Sequence, residues 1–324
     1  MLCSLTLYKG LKKKFPDARI TLVAAKTNYE IPFFDINPFI DRVIVFDKSS
    51  LSSIIHFIKL LRSRKYEIGI VPSTIVLSRT SHILNFISGA KLKVGVNSID
   101  KLQNPLSKLL NIKTDFLWSG VHQSIRNLQI INQIGCDLSE EEIKSIKINL
   151  SEYDYSFADK FIKKNFTDCS KMIIAFHPGA GKSDNRWDKE NFVSLIKKIY
   201  DSFQSNILIT SGWTDGEIIS SISSSLRESD IKFAILHNAS IKKLAAVLSI
   251  IDLYITNDTG TMHIAGYVNT KMISLFGPTN PNEWAPTGIN HNFIKSPTDK
   301  INDISIQQVF SLVCQILTQK KDQV

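Results

Sequence analysis

Cysteine is scarce. The four in 324 residues, Cys3, Cys136, Cys169 and Cys314, stand singly with no Cys-x-x-Cys pair. A zinc site built on paired cysteines and a disulfide framework are both excluded, and reduced cytosol fits best. Long apolar runs are also missing: none approaches the length that spans a bilayer, and Met1 to Tyr8 lacks the basic flank and long core of a signal peptide. The chain therefore reads as soluble and cytoplasmic. There is no low-complexity tract and no fixed-period repeat. Neither the G-x-x-x-x-G-K-[ST] loop nor the G-x-G-x-x-G fingerprint occurs, which removes P-loop and nicotinamide-oxidoreductase signatures. Excess charge is absent from the second half, where 18 Lys and Arg in residues 151–324 face 18 Asp and Glu; residues 1–150 carry 21 against 12 and hold the whole net charge of +9. Such a field suits an extended anionic partner, a phosphorylated membrane surface or a nucleic acid, or else a solvated basic face with no partner.

What is present is an alternation of strands and helices. A helix with Leu5, Leu7, Tyr8 and Leu11 leads through Phe15-Pro16-Asp17 to a strand at Arg19–Ala24, followed by strands at 42–46, 66–71 and 93–96. Leu51, Ile54, Ile55, Ile58 and Leu61 keep helical spacing between two of them. Residues 111–118 read as a loop, 122–134 as a helix, and Glu140-Glu141-Glu142 as solvated linker surface. After a helix at 153–165, a second set of strands is expected at 172–176, 206–210, 232–236, 253–256 and 271–276. Phe192, Leu195, Ile196, Ile199 and Phe203 share one helix face, Ser240 serves as an N-cap, and an amphipathic last helix at 304–317 is expected to pack back on the first domain. The fold class is α/β, with two parallel-sheet domains at 1–155 and 156–324.

The chain is organised around residues 252–288, where a strand runs into Asn257-Asp258-Thr259-Gly260, then a helix, then a strand ending at Gly277-Pro278. Ligands of open α/β sheets sit beyond the carboxyl ends of strands, where helix N-termini offer free N–H groups to anions. Gly260 admits a close approach, Thr259 adds a hydroxyl, and His263 lies one turn on. Asp258, repelled by phosphate, caps the helix or accepts from sugar or base groups. The competing reading makes Asp258 only a cap and His263 a packed histidine. A second loop, His177-Pro178-Gly179-Ala180-Gly181-Lys182, follows the first strand of the second domain, and its glycines allow N–H groups to turn to a phosphate. Lys182 and Arg186 are its cations, or else solvent-facing loop charges beside a packing Trp187. In the third loop, 211–217, Glu217 or Asp215 is placed to accept from ribose hydroxyls, or else matches a helix dipole.

Taken together, Asn257-Asp258-Thr259-Gly260, Met262-His263, Leu275-Phe276-Gly277-Pro278-Thr279, Trp284 and Pro286, with the His177-Pro178-Gly179-Ala180 loop and Arg186-Trp187, resemble glycosyltransferase family 9, which contains the bacterial lipopolysaccharide heptosyltransferases. The family often has Lys where this chain has Asn185, and Lys182 is available to supply that charge. The resemblance implies GT-B architecture, two Rossmann-like doubly wound parallel-sheet domains facing a cleft, with the donor on the second. It further implies inverting transfer of a heptose or related sugar from an ADP-type nucleotide sugar to an anionic, lipopolysaccharide-type glycolipid acceptor, with no essential metal or other cofactor. Contact with the inner face of the cytoplasmic membrane is implied, and nucleic acid is not an expected partner. The implied donor-site residues are Gly179, Lys182, Arg186, Glu217, Asp258, Thr259, Gly260 and His263. In the family a first strand and its loop, bearing the catalytic Asp, precede the helix that opens this sequence. The chain is therefore expected to lack that strand, no catalytic base is assigned, and Asp17, Asp35 and Asp41 are available by type only. The alternative is a catalytically deficient homologue or a nucleotide-sugar-binding protein.

Overall fold

The structure is a computed structural model that describes residues 2–25, 38–288 and 290–318. It divides into two compact units, Met1–Ile146 and Lys147–Val324. The first contains helices α1 (Leu5–Lys14), α2 (Leu51–Arg62), α3 (Arg79–Ile87), α4 (Gln123–Asn132) and α5 (Glu140–Lys144). Its strands are β1 (Thr21–Ala25), β2 (Arg42–Phe46), β3 (Ile68–Ile70), β4 (Leu92–Ile99), β5 (Leu102–Gln103) and β6 (Ile112–Phe116). The second contains α6 (Glu152–Asn165), α7 (Lys189–Phe203), α8 (Gly216–Arg227), α9 (Ile241–Leu248), α10 (Gly260–Tyr267), α11 (Pro281–Trp284) and α12 (Ile306–Thr318). Its strands are β7 (Ile173–His177), β8 (Asn206–Ser211), β9 (Phe233–His237), β10 (Leu253–Asn257), β11 (Met272–Phe276) and β12 (His291–Lys295). Among the described residues no helix is long and apolar enough to cross a membrane.

The second unit has one parallel sheet in the order β12-β11-β10-β7-β8-β9. β7, β10 and β11 are buried along their whole length, because strands covered by helices on both faces tolerate only near-continuous apolar runs. The helices lay apolar stripes on that sheet. Phe192, Leu195, Ile196 and Ile199 of α7 are fully buried, and Val309, Val313 and Leu317 of α12 join the same core. The last helix thus packs in the second unit's core, where the sequence reading sent it to the first domain; its apolar stripe marks a buried face but does not say which sheet supplies the other side. Ser240 caps α9 as expected, its Oγ accepting the Lys243 N–H, and Ser151 and Asp154 form a reciprocal capping box on α6.

The first unit's described strands fall in two sheets. β1 and β2 pair in parallel, while β3, β4 and β6 run parallel with β5 added antiparallel to β4. α1 packs on α4: Gly10 lies where a Cβ would come within 2.7 Å of Ile131 Cδ1, and Thr6 Oγ1 donates to the Ser124 carbonyl at 2.7 Å. One expectation fails here. Residues 112–116 form strand β6 instead of a loop, since Ile-Lys-Thr-Asp-Phe exposes its middle and carries no apolar run to signal pairing. The Glu140–Glu142 run is solvated at Glu140 and Glu141, as expected, and starts helix α5, where Glu142 closes a capping box with Ser139 and pairs with Lys13 at 2.8 Å.

Candidate donor site

In the second sheet β7 and β10 are neighbours, with Thr256 opposite His177. The chain leaves β7 towards β8 and leaves β10 towards β11, so the crevice at their carboxyl ends is the sheet's switch point, the place where open α/β sheets bind ligands. Three loops meet there, and one buried side chain ties two of them together. Asn257, the last residue of β10, has no exposed surface; its Nδ2 donates to the Pro178 and Gly179 carbonyls at 3.0 and 3.2 Å, and its Oδ1 accepts the Trp187 N–H at 3.2 Å. The loop after β7 is thereby clamped on both sides of Lys182.

Gly179 is required by its neighbour, because a Cβ there would collide with the Asp215 carboxylate. Asp215 is 4% exposed and accepts the Gly212 N–H at 2.7 Å. It braces the loop from within, whereas Glu217, the other acid read from sequence, is exposed in the first turn of α8. His177 lies beneath the loop, with Nδ1 3.0 Å from the Thr210 carbonyl and Oγ1. Burial pushes its pKa down and outweighs the pull of Asp215, whose Oδ2 stands 4.0 Å from Nε2. We read His177 as a neutral imidazole that positions the loop, since a charged pair would need closer contact to offset desolvation.

Asp258 is half-buried, and its Oδ2 accepts from Asn185 Nδ2 at 2.9 Å; Thr279 Oγ1 in turn reaches Asn185 Oδ1 at 3.4 Å. Burial raises the Asp258 pKa, with the Thr279 hydroxyl and the charge of Lys182 pulling the other way. Asp258 does not cap α10. Thr259 is the N-cap, and its side chain accepts no hydrogen bond from the first turn. Gly260 has nothing within 4 Å of where a Cβ would stand, and the same is true of Gly181 across the switch point. Lys182 is exposed; Arg186 is half-buried, with Nη2 held by the Ala180 carbonyl at 2.9 Å. Trp187 is the packing residue of the competing reading, donating Nε1–H to the Ile304 carbonyl and meeting Phe192 edge-on. His263 sits half-buried on α10 with its ring 6.5 Å from that of Trp284.

Gly179, Lys182, Arg186, Asp258, Thr259, Gly260 and His263 therefore belong to the loops and helix start flanking β7 and β10, and Glu217 to the loop after β8. Asn257 and Asn185 are the residues whose roles the sequence reading missed. Among the described residues no three His, Cys, Asp or Glu side chains gather as a metal site. In the first unit, Asp41 stands at the amino end of β2, where its Oδ2 accepts from Lys12 at 2.9 Å and from the Ile20 N–H at 2.7 Å. It is a structural ion pair. Asp17 is an exposed turn residue, and Asp35 lies outside the described residues.

Residues 54–313 match the model of glycosyltransferase family 9 (heptosyltransferase). The chain belongs to this family. It is similar to lipooligosaccharide heptosyltransferase 2 of Campylobacter jejuni, 31% identical over 148 residues that make up 45% of this chain and 46% of that one. The match thus spans about half the length of this relative. Lipopolysaccharide heptosyltransferase 3 of Escherichia coli is 22% identical over 303 residues, 90% of this chain and 84% of that one. The solved structure of E. coli ADP-heptose LPS heptosyltransferase II superposes with a TM-score of 0.78 at 19% identity, covering 99% of this chain and 96% of that chain. The α/β fold is that of the GT-B heptosyltransferases.

Proposed function

We propose that this family 9 chain is an inverting transferase that moves a heptose or related sugar from an ADP-sugar to a lipopolysaccharide-type acceptor. The observation that carries the reading is the uncapped start of α10 at the switch point, with open backbone at Gly260 and with Lys182 biasing Asp258. The diphosphate of the donor occupies the α10 N-terminus and the glycine loop after β7. As the sugar leaves, negative charge grows on the diphosphate; the helix dipole and Lys182 are already aimed at it and lower the barrier in place of a metal ion. Asp258, held by Asn185, accepts from hydroxyls of the sugar, and Glu217 accepts from the ribose. Similarity to lipopolysaccharide heptosyltransferase 3 and to the ADP-heptose LPS heptosyltransferase II of E. coli supports this donor and acceptor chemistry. The basic first half suits an anionic glycolipid at the inner face of the cytoplasmic membrane.

The test is calorimetry with ADP, with and without EDTA. Wild type is expected to bind equally in both. Gly260→Val, whose side chain enters open space in the free protein, is expected to lose affinity at least about tenfold with its circular dichroism unchanged. Unchanged affinity in that variant would remove the site. Sugar transfer to a deacylated acceptor then separates the transferase from a protein that only binds nucleotide sugars.

A further inference from the structure

We propose that the first unit carries a second anion site, at the amino ends of its strands, that takes a diphosphate or bisphosphate group. Arg19, Arg42, Arg64, Lys65 and Tyr66 line a cavity of about 700 Å³ together with Thr21 and Asp41. The strands converge on it from the start: Thr21 and Arg42 are register partners at the first position of β1 and β2, and Arg64 to Tyr66 lead into β3. Ligands of the sugar-transfer reaction belong to the carboxyl ends of the strands, so this cavity is not accounted for by that chemistry.

Its charge is unbalanced. Among the described residues Asp41 is the one carboxylate in the lining; it is engaged by Lys12 and the Ile20 N–H and also feels the charge of Arg19. Glu67, the nearest acid along the chain, turns to Lys91 at 3.7 Å. Among the described residues Arg19, Arg42, Arg64 and Lys65 lie within ion-pair distance of no carboxylate. Like charges brought together without counterions repel, and three guanidinium forks are shaped for bidentate phosphate oxygens. Tyr66, whose side chain packs on the Ile44, Phe57 and Leu61 cluster, closes one wall. The volume falls in the roughly 300–1,000 Å³ range of small-molecule pockets and exceeds what a single monophosphate fills.

Inorganic pyrophosphate is the probe. Titrated into the full chain with its donor site saturated by ADP, it is expected to bind more tightly than inorganic phosphate, to weaken as salt rises, and to lose at least about tenfold in affinity in Arg42→Gln/Arg64→Gln. Lys65→Gln, at an exposed lining position, is expected to weaken it severalfold without lowering the melting temperature. Gly260→Val, which acts at the second unit, is expected to leave it unchanged. Pyrophosphate binding that survives in the double variant, or that vanishes in Gly260→Val, would overturn the proposal. Co-sedimentation with phosphatidylglycerol vesicles fixes the natural source of the group: capture that pyrophosphate competes away and the double variant loses identifies a lipid headgroup, and pyrophosphate binding without vesicle capture identifies a free phosphorylated metabolite.

Discussion

Asn257 shows how one residue can set a binding loop without touching the ligand. Its amide serves two carbonyls of the loop after β7 and one N–H of the segment that follows, all fully buried. In Asn257→Ala the Trp187 N–H and two carbonyls lose their partner at once. The expected cost is about 1–3 kcal/mol of stability, the penalty for leaving buried polar groups unsatisfied, together with weaker ADP binding because Lys182 is no longer held in place. Chemical denaturation and calorimetry on the same variant check both halves; full stability would mean that water replaces the clamp. The sequence made Gly260, Asp258 and Lys182 legible, because glycines and charges at a strand's end announce a turn and a ligand. It left Asn257 and Asn185 silent. Their partners lie 70 and 73 residues away, and no local pattern reports a contact at that separation.

Among the elements, α7 is the one whose sequence says most about its packing. Its apolar residues recur at helical spacing, and four of them are wholly buried against the second sheet. Leu195→Ala removes a side chain with no exposed surface from the middle of that face, and a loss of about 2–5 kcal/mol is expected, seen as a lower urea midpoint with an unchanged slope. A cost below about 1 kcal/mol would mean the core closes around the gap. β7, β10 and β11 were equally legible, since a strand covered on both faces must be written as an apolar run. β6 and β12 were not. Ile-Lys-Thr-Asp-Phe and His-Asn-Phe-Ile-Lys leave side chains partly or wholly exposed, so polar residues are tolerated and the pattern dissolves into that of a loop. α12 was read correctly as an amphipathic helix and misplaced, because a stripe of Val309, Val313 and Leu317 fits any apolar sheet face of the right width.

For the molecule as a whole, charge and acid response separate the two units. The excess of nine positive charges lies in residues 1–150. The buried histidines with lowered pKa, His177 and His291, lie in the second unit, each shifted chiefly by burial. The sign follows from proton counting. Below the ordinary histidine value of about 6.5 the unfolded chain takes up protons that the folded unit does not, so stability falls as pH falls through that range and is fully present above it. Each such group steepens the loss by up to about 1.4 kcal/mol per pH unit. Urea unfolding of the whole chain at pH 7.5 and 5.5 is therefore expected to show a lower midpoint at 5.5 for the transition that reports on the second unit, followed by tryptophan fluorescence in a Trp118→Phe background, which leaves Trp187, Trp213 and Trp284, all in that unit. His177→Asn keeps a donor for the Thr210 carbonyl and has nothing to titrate, so its midpoint should shift less between the two pH values. A variant as acid-sensitive as wild type would show that His177 takes up its proton in the fold as readily as in the unfolded chain, and a more acid-sensitive one that it pairs with Asp215 as an ion pair.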